Sequence, residues 1–387
     1  GLMKIEENFE LSKLTLVMAT YGRQKHAIRN MTYWSNTGVI LLVLDASPIA
    51  ISNEILKNFS DNIIYVHDTS NYNQRLVNSF SKINTKYAQL ICDDEFYPIS
   101  AVLSSIKELE KDDTIISCMG VCLGFEIDKK NKKIFSKRTY LRLLENYNYT
   151  MNTDPIERLS RYMLYYEPFL MYAVIRTDIW KKAFDLPLKF MRNQLGKKNV
   201  EKFNFFASDE IQINMYLGFA GKSKIIRELY WLRSFGEHLT IRELHKKLSE
   251  PKSSFQEWWN SNSETDEYLK ILEDSFRETK IKINISYKEM ALKCCQLFLE
   301  GGGGEFLKHK LIYIKQKKNY THVFLFYLKK FIPKFLKNFI KSLNILKTRK
   351  ILLMDDLKFL EKKGIKIDQE KINEIIKIIE NFHYKIY

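Results

Sequence analysis

The chain has few cysteines and no long apolar run, and each absence excludes a class of protein. Its five cysteines among 387 residues are too few and too irregularly spaced for a disulfide framework. No apolar run reaches the roughly 18 residues of a membrane-spanning helix. No signal-peptide pattern precedes the first predicted strand. We therefore expect a cytoplasmic protein with reduced thiols and no membrane span.

Acidic residues are absent from residues 306–354, a stretch that contains thirteen Lys or Arg. This basic segment supplies most of the net charge of +16, so the rest of the chain is close to neutral and no nucleic-acid partner is expected. Within it, Phe331, Phe335, Phe339 and Leu343 are spaced four apart, with lysines between them. A basic helix with such a stripe is typical of contact with an anionic membrane surface. Docking of the stripe on the rest of the protein, or nucleic-acid binding, are the alternatives.

What is present is the composition of a packed protein, with 45% hydrophobic and 13% aromatic residues. Through the first hundred residues, short apolar runs alternate with amphipathic segments of about ten residues. The runs cover residues 14–19, 39–44, 63–67 and 88–92. This alternation predicts an α/β fold with a parallel sheet.

Polar residues follow each of these predicted strands. They are Thr20, Asp45, Asp68 and the triplet Asp93, Asp94 and Glu95. Ligands bind at the carboxyl ends of parallel strands, so we expect these side chains to converge at one edge of the sheet. Three adjacent carboxylates repel one another, and Mg²⁺ or Mn²⁺ would relieve that repulsion. A solvated acidic turn is the alternative for the triplet.

The later sequence also predicts particular elements. Asp154 and Pro155 are typical of a helix start, and residues 208–210 are expected to open a further helix. Residues 225–232 are expected to be extended. From residue 240 the pattern is helical, and it ends in a helical pair with Gly364 at the break.

Six short motifs, taken in order, resemble those of GT-A glycosyltransferases related to family-two enzymes. Residues 16–23 (LVMATYGR), 44–47 (LDAS) and 92–95 (CDDE) resemble the nucleotide-sugar half of these enzymes. Residues 154–159 (DPIERL), 208–210 (SDE) and 228–233 (ELYWLR) are similar to a bacterial subgroup found in surface-polysaccharide loci. The sequence departs from the family at Gly22, where Asn is usual, and at Glu95, where Asp is commoner.

The resemblance implies a Rossmann-like nucleotide-sugar-binding sheet followed by a C-terminal helical region. The catalytic domain would cover residues 12–245, with a nucleotide-sugar half at 12–125 and an acceptor half at 126–245. A helical extension would follow at 246–300, and a basic helical tail at 305–387.

The resemblance also implies residue roles. The donor would be held by Thr20, Tyr21, Arg23, Asp45, Ser47, Asp68, Arg75, Asp93 and Asp94. The metal, Mg²⁺ or Mn²⁺, would be held by Asp94, Glu95 and His238. Glu210 would be the base that takes the acceptor proton, with Asp209 as its alternative. Plainer explanations are a tight turn at Gly22, surface arginines, and acids that favour a helix start.

The implied activity is transfer of a sugar from a nucleotide-activated donor to a hydroxyl of a cell-surface glycan or glycolipid. The protein would then lie on the inner face of the cell membrane, through residues 306–354. One alternative is a transferase of the same fold that uses a CMP-nonulosonate, a sialic-acid-like donor, for which the metal could be dispensable. Another is a non-catalytic module that binds a sugar nucleotide or nucleic acid.

Overall fold

A computed structural model describes residues 2–142, 147–194, 205–235, 255, 259–260, 265–301 and 350–384. The chain is α/β, with eight strands in one mixed sheet. The strands are β1 (Leu14–Thr20), β2 (Ile40–Asp45), β3 (Ile63–His67), β4 (Tyr87–Cys92), β5 (Ile115–Asp128), β6 (Lys133–Arg142), β7 (Val174–Arg176) and β8 (Lys222–Phe235). Their order is β3-β2-β1-β4-β7-β5-β6, and β8 pairs with β5.

Twelve α-helices lie within the described residues. They are α1 (Leu2–Leu11), α2 (Gln24–Trp34), α3 (Asn53–Leu56), α4 (Tyr72–Asn78), α5 (Ile99–Lys111), α6 (Pro155–Leu164), α7 (Thr177–Gln194), α8 (Phe205–Ala220), α9 (Thr265–Glu278), α10 (Tyr287–Glu300), α11 (Leu353–Lys362) and α12 (Gln369–Tyr384). None of the helices in this part of the chain combines the length and apolarity needed to cross a bilayer.

The predicted parallel sheet of the first hundred residues is confirmed. Strand β1 pairs in parallel with both β2 and β4, and β2 pairs in parallel with β3. Most side chains of β1, β2 and β4 are buried, because helices cover both faces of a parallel sheet. Burial on both faces explains why these strands are continuous apolar runs in the sequence.

The second part of the sheet is mixed. Strand β5 runs antiparallel to β6 and β7 and parallel to β8. Gly120 allows β5 and β8 to approach closely, since a Cβ there would lie 2.3 Å from the Glu228 carbonyl oxygen. One sheet therefore passes through both predicted halves of the catalytic domain.

One expectation needs correction at a helix boundary. Helix α8 begins at Phe205, not at Ser208, so Asp209 and Glu210 lie in its second turn. Residues 205–207 include neither Gly nor Pro, so nothing in them stops the helix from extending toward the amino terminus. Helix α1 was not predicted at all. The helix start at Asp154 is confirmed, because its carboxylate accepts a hydrogen bond from the Ile156 amide at 2.9 Å.

The C-terminal helical pair packs against the sheet domain. The Ser136 amide of β6 donates to the Ile351 carbonyl at 2.9 Å, and the Leu229 amide of β8 donates to the Lys366 carbonyl at 3.0 Å. Gly364, at the predicted break, has a φ of 81°, a conformation that glycine adopts without strain. The basic helix predicted within 306–354 lies outside the described residues, except for residues 350–354.

Candidate functional site

The carboxyl ends of β1, β2 and β4 lie side by side. Thr20 pairs with Asp45, and Ala19 pairs with Cys92, the residue before the acidic triplet. The Asp68 amide, just after β3, donates to the Asp45 carbonyl at 2.9 Å. The four predicted polar positions therefore occupy one edge of the sheet.

A buried arginine joins the first turn to the acidic triplet. The Arg23 guanidinium donates to both carboxylate oxygens of Asp93, from Nε at 3.2 Å and through a close Nη2 contact, and its Nη1 donates to Asp94 Oδ2 at 3.1 Å. The Thr20 hydroxyl donates to Asp93 Oδ2 at 2.9 Å. Charge-assisted bonds of this kind are strong and directional, so Arg23 holds the two carboxylates in place.

Glu95 is a buried acid with its own partners on β8. The Trp231 indole donates to Glu95 Oε2 at 2.7 Å, and Arg233 Nε lies 3.7 Å from Glu95 Oε1. Burial, together with the charge of Asp94, raises the pKa of Glu95 to about 8. Trp231 and Arg233 therefore anchor the end of the triplet to the strand that carries them.

Asp94 and Glu95 fit a hard divalent cation. Their oxygens lie within 4.8 Å of each other and of the Cys92 sulfur. Burial raises the pKa of the Cys92 thiol well above its usual range, and a soft sulfur suits Mg²⁺ or Mn²⁺ less well than carboxylate oxygens do. Two crowded carboxylates match Mg²⁺ or Mn²⁺, which usually bind one or two carboxylates and complete their shells with substrate phosphates. His238 lies outside the described residues.

The Asp45 carboxylate is occupied by hydrogen bonds within the protein. Its Oδ2 accepts from Gln24 at 2.7 Å and from the Tyr65 hydroxyl at 2.6 Å, and its Oδ1 accepts from the Ser47 amide at 2.8 Å. Burial acts to raise its pKa, but the hydrogen bonds from Ser47, Tyr65 and Gln24 outweigh burial and lower it. Asp45 thus shapes the turn after β2.

The turn after β2 also binds the turn after β1. The Gly22 amide donates to the Ser47 hydroxyl at 3.0 Å, and Gly22 has a φ of 65°. Glycine adopts that conformation without strain. Tyr21 is left exposed beside these two turns.

Asp68 and Arg75 flank the same edge at α4. Asp68 accepts from the Ser70 amide at 2.9 Å and from Asn78 at 2.9 Å, and the bonds from Ser70 and Asn78 lower its pKa despite some burial. Arg75 is buried and donates from Nη1 to the Ser70 carbonyl at 3.2 Å. Its Nε has no hydrogen-bond partner among the described residues. A buried guanidinium with an unused donor is suited to an anionic ligand.

Asp209, which is buried, and Glu210, which is half-buried, form a second pair of acids. The Asn73 side-chain amide donates from Nδ2 to Asp209 Oδ2 at 2.7 Å. Asp209 Oδ1 has no hydrogen-bond partner in the described part of the chain. The Tyr166 hydroxyl makes a long contact of 3.5 Å with Glu210 Oε1. Burial raises the pKa of each acid to about 7, and for Glu210 the positive charge of Arg233 opposes this rise.

The two acidic groups share charged and polar neighbours. Arg233 interacts electrostatically with both Glu95 and Glu210. The buried Tyr172 hydroxyl has its pKa raised by burial first, and then by Cys92, Glu210 and Glu95. The structure thus brings Glu210 to the region of the triplet, although the two are more than a hundred residues apart in the sequence.

Sequence reasoning missed several residues that build this site. Gln24, Tyr65, Asn73, Tyr166 and Arg233 each contact a predicted acid. Only Arg233 lies in a motif that the sequence analysis singled out, and no role was given to it. The others are isolated polar residues whose partners lie in distant parts of the chain.

Comparison with known proteins gives distant structural likeness only. No family model and no curated protein sequence matches the chain. The structure is similar to S. aureus TarS 1–349 in complex with UDP-GlcNAc, with 8% identity over 74% of this chain and 72% of that one and a TM-score of 0.40. It is also similar to the mannosyltransferase PcManGT from Pyrobaculum calidifontis in complex with GDP-Man and Mn²⁺, with 9% identity over 100% and 95% of the two chains and a TM-score of 0.38. Likeness at this level does not assign an activity.

Proposed function

We propose that the protein is a glycosyltransferase with a GT-A fold that transfers a sugar from a nucleotide-activated donor to a hydroxyl acceptor. One observation carries the proposal: Arg233 lies 3.7 Å from Glu95 at the carboxyl edge of the parallel sheet and its charge also acts on Glu210, while Asn73 of α4, at the same edge, bonds to Asp209. Active sites gather perturbed carboxylates in this way, and the carboxyl edge is where α/β sheets bind ligands.

The donor nucleotide lies over the turns that follow β1 and β2. Tyr21 offers an exposed ring, and Arg75 offers a buried guanidinium with an unused donor. Hydrogen bonds made by Thr20, Asp45 and Ser47 fix the shape of these turns. Asp68 lies beside them and is the remaining donor-binding residue of this edge.

The metal, Mg²⁺ or Mn²⁺, would be held by Asp94 and Glu95. When bound, it supplies a positive charge that stabilises the leaving phosphate. Arg23 holds Asp94 in place from the protein side, and Trp231 does the same for Glu95. His238 stays a predicted ligand. For a CMP-nonulosonate donor the leaving group is a monophosphate, and the metal would matter less.

Glu210 takes the proton from the acceptor hydroxyl. A carboxylate is an effective base near neutral pH when its pKa lies near 7, and burial gives Glu210 that value. Its long bond to Tyr166 leaves it free to accept a closer donor. Asp209 is the second candidate because its Oδ1 has no partner among the described residues.

A thermal-shift screen with UDP-, GDP-, dTDP- and CMP-sugars, each with and without Mn²⁺, tests the donor class. We expect one nucleotide to raise the melting temperature by several degrees at concentrations well above its Kd, because ligands that bind only the folded state stabilise it. A shift that needs Mn²⁺ indicates a diphosphate donor, and a Mn²⁺-independent shift with a CMP-sugar indicates the nonulosonate alternative. No shift with any sugar nucleotide would contradict the proposal, while a shift without turnover would indicate the non-catalytic module.

The acceptor is proposed to be a cell-surface glycan or glycolipid, reached by a protein that lies on the inner face of the membrane. Residues 306–354 carry thirteen basic residues and no acidic ones, which suits an anionic bilayer. The described end of this segment is joined to β6 through the bond between Ser136 and Ile351. A membrane-bound segment would therefore hold the sheet domain close to the bilayer.

Vesicle flotation tests this membrane contact. Replacing Lys330, Lys334, Lys337 and Lys341 with Gln should release most of the protein from vesicles rich in anionic lipid, since each basic residue near such a surface contributes about 1 kcal/mol. The matched control replaces four exposed lysines at the tip of the β5–β6 hairpin, namely Lys129, Lys130, Lys132 and Lys133. Equal flotation of the two variants would contradict a specific role for the basic segment.

A further inference from the structure

One face of α2 binds the backbone of the acidic triplet and of the residues that follow it. Arg29 Nη2 donates to the Asp94 carbonyl at 3.1 Å. The Asn30 side-chain amide donates from Nδ2 to the Asp93 carbonyl at 2.6 Å and to the Glu95 carbonyl at 3.2 Å. Three successive carbonyls, those of the residues that carry the acids, are therefore held by two adjacent side chains of one helix.

Tyr33 extends this contact by one helical turn. Its hydroxyl donates to the Tyr97 carbonyl at 3.1 Å and accepts from the Ile99 amide at 3.1 Å. Arg29, Asn30 and Tyr33 are all buried and are spaced so that they share a face of α2. The backbone of residues 93–99 is thus hydrogen-bonded by three side chains on one face of α2.

The C-terminal helix reaches the same face. The Arg29 guanidinium lies 5.0 Å from the centre of the Phe96 ring and 5.1 Å from the centre of the Phe382 ring. Phe382, on α12, also packs against the His26 ring at a centroid distance of 5.4 Å. Aromatic faces attract a guanidinium and fix its plane, so two rings restrict the directions in which Arg29 can donate.

We propose that Arg29 is a positioning residue for the acidic triplet, and that Phe382 of α12 supports the site by holding the Arg29 side chain. The row of groups on α2 fixes the backbone of residues 93–95, and this backbone sets the direction of the Asp94 and Glu95 carboxylates. Phe382 holds Arg29 in the plane from which it reaches the Asp94 carbonyl. The proposal rests on the function proposed above only for its metal readout.

The chain offers well-matched variants for a test. Phe382→Ala removes the ring, Phe382→Leu keeps apolar volume without an aromatic face, and Phe382→Tyr restores that face. Arg29→Gln removes the guanidinium. Phe359→Ala, on α11, is the control, because it removes a partly exposed aromatic ring from the same helical pair but not from the surface that contacts α2.

Hydrogen exchange of the full-length protein measures positioning directly and does not depend on any activity. The Phe96 amide, bonded to the Leu232 carbonyl at 3.1 Å, and the Ile99 amide report on this segment. We expect exchange in residues 92–99 to become about threefold to tenfold faster in Arg29→Gln, Phe382→Ala and Phe382→Leu. Phe382→Tyr and Phe359→Ala should match the wild type. Wild-type exchange in this segment for both Arg29→Gln and Phe382→Ala would overturn the proposal.

Mn²⁺ titration followed by the electron paramagnetic resonance of the free ion gives a second readout. Misdirected carboxylates should raise the Mn²⁺ concentration at half-saturation by a similar factor in Phe382→Ala and Phe382→Leu. A general loss of folded protein would instead lower the number of sites and leave that concentration unchanged, which would count against positioning. If the wild type binds no Mn²⁺, the metal assignment fails, and the exchange measurement alone decides the role of Arg29.

Discussion

Asp94→Asn is expected to lower sugar-transfer turnover about 1000-fold while leaving the protein folded. The substitution removes one negative charge but keeps the side-chain shape and an oxygen that can accept from Arg23. In the proposed mechanism, the affected interaction stabilises charge on the leaving phosphate, and a loss of about 4 kcal/mol corresponds to this factor. Initial rates measured across a Mn²⁺ series for wild type and variant provide the test.

The control for this variant is Asp113→Asn. The side chain of Asp113 is 95% exposed and lies outside the proposed site, so the same change in charge there should leave turnover unaltered. Turnover within a few fold of wild type for Asp94→Asn, at every Mn²⁺ concentration, would show that Asp94 holds no metal during transfer.

Glu210→Gln is expected to lower kcat by about 10²- to 10⁴-fold, the range typical of a lost general base. The wild-type rate should rise with pH, because the pKa of Glu210 is about 7 and only the ionised form accepts a proton. Between pH 6 and pH 8 the ionised fraction of such a group grows about tenfold. The residual rate of Glu210→Gln should lack this rise.

Asp209→Asn separates the two acids of α8, because burial raises the pKa of Asp209 to about 7 as well. If Glu210 is the base, Asp209→Asn keeps the rise in rate with pH. Loss of the rise in Asp209→Asn, together with its retention in Glu210→Gln, would transfer the role to Asp209.

Whereas the rate should rise with pH, the contribution of these two acids to the free energy of unfolding should fall as pH rises. The folded-state pKa of Glu210 lies above its unfolded value of about 4.5, so the folded state keeps the proton to higher pH than the unfolded state does. The free energy of unfolding therefore falls as pH rises from about 4.5 to about 7 and then levels off. Glu210→Gln removes this loss and should be more stabilising at pH 8 than at pH 5. Chemical denaturation at the two pH values measures the difference.

The sequence predicted the parts of the structure that depend on local pattern. The four parallel strands are continuous apolar runs because both faces of the sheet are buried. The polar residues at their carboxyl ends could be placed on one edge because parallel strands end together. The start of α6 and the break at Gly364 also follow from local chemistry, through a capping aspartate and a left-handed glycine.

Contacts between distant residues could not be predicted in this way. Asn73 meets Asp209 and Trp231 meets Glu95 across 136 residues each, and neither pair leaves a periodic or spacing signal. The Asp45 carboxylate, a predicted donor-binding group, accepts hydrogen bonds from Gln24, Ser47 and Tyr65, and nothing in the sequence indicates Gln24 or Tyr65 as its partners. Arg29 and Asn30 are ordinary helical residues in the sequence, and only the packing of α2 shows that they bind the backbone of the triplet.

The central claim is that the acids at residues 93–95 and 209–210 serve one sugar-nucleotide site, with binding at the first group and chemistry at the second. Calorimetric titration of the donor identified by the thermal-shift screen, with and without Mn²⁺, tests it on the wild type, Asp94→Asn and Glu210→Gln. The account predicts Mn²⁺-enhanced binding for the wild type and for Glu210→Gln, and loss of that enhancement for Asp94→Asn. Equal Mn²⁺ enhancement in Asp94→Asn, or no donor binding by the wild type, would contradict it.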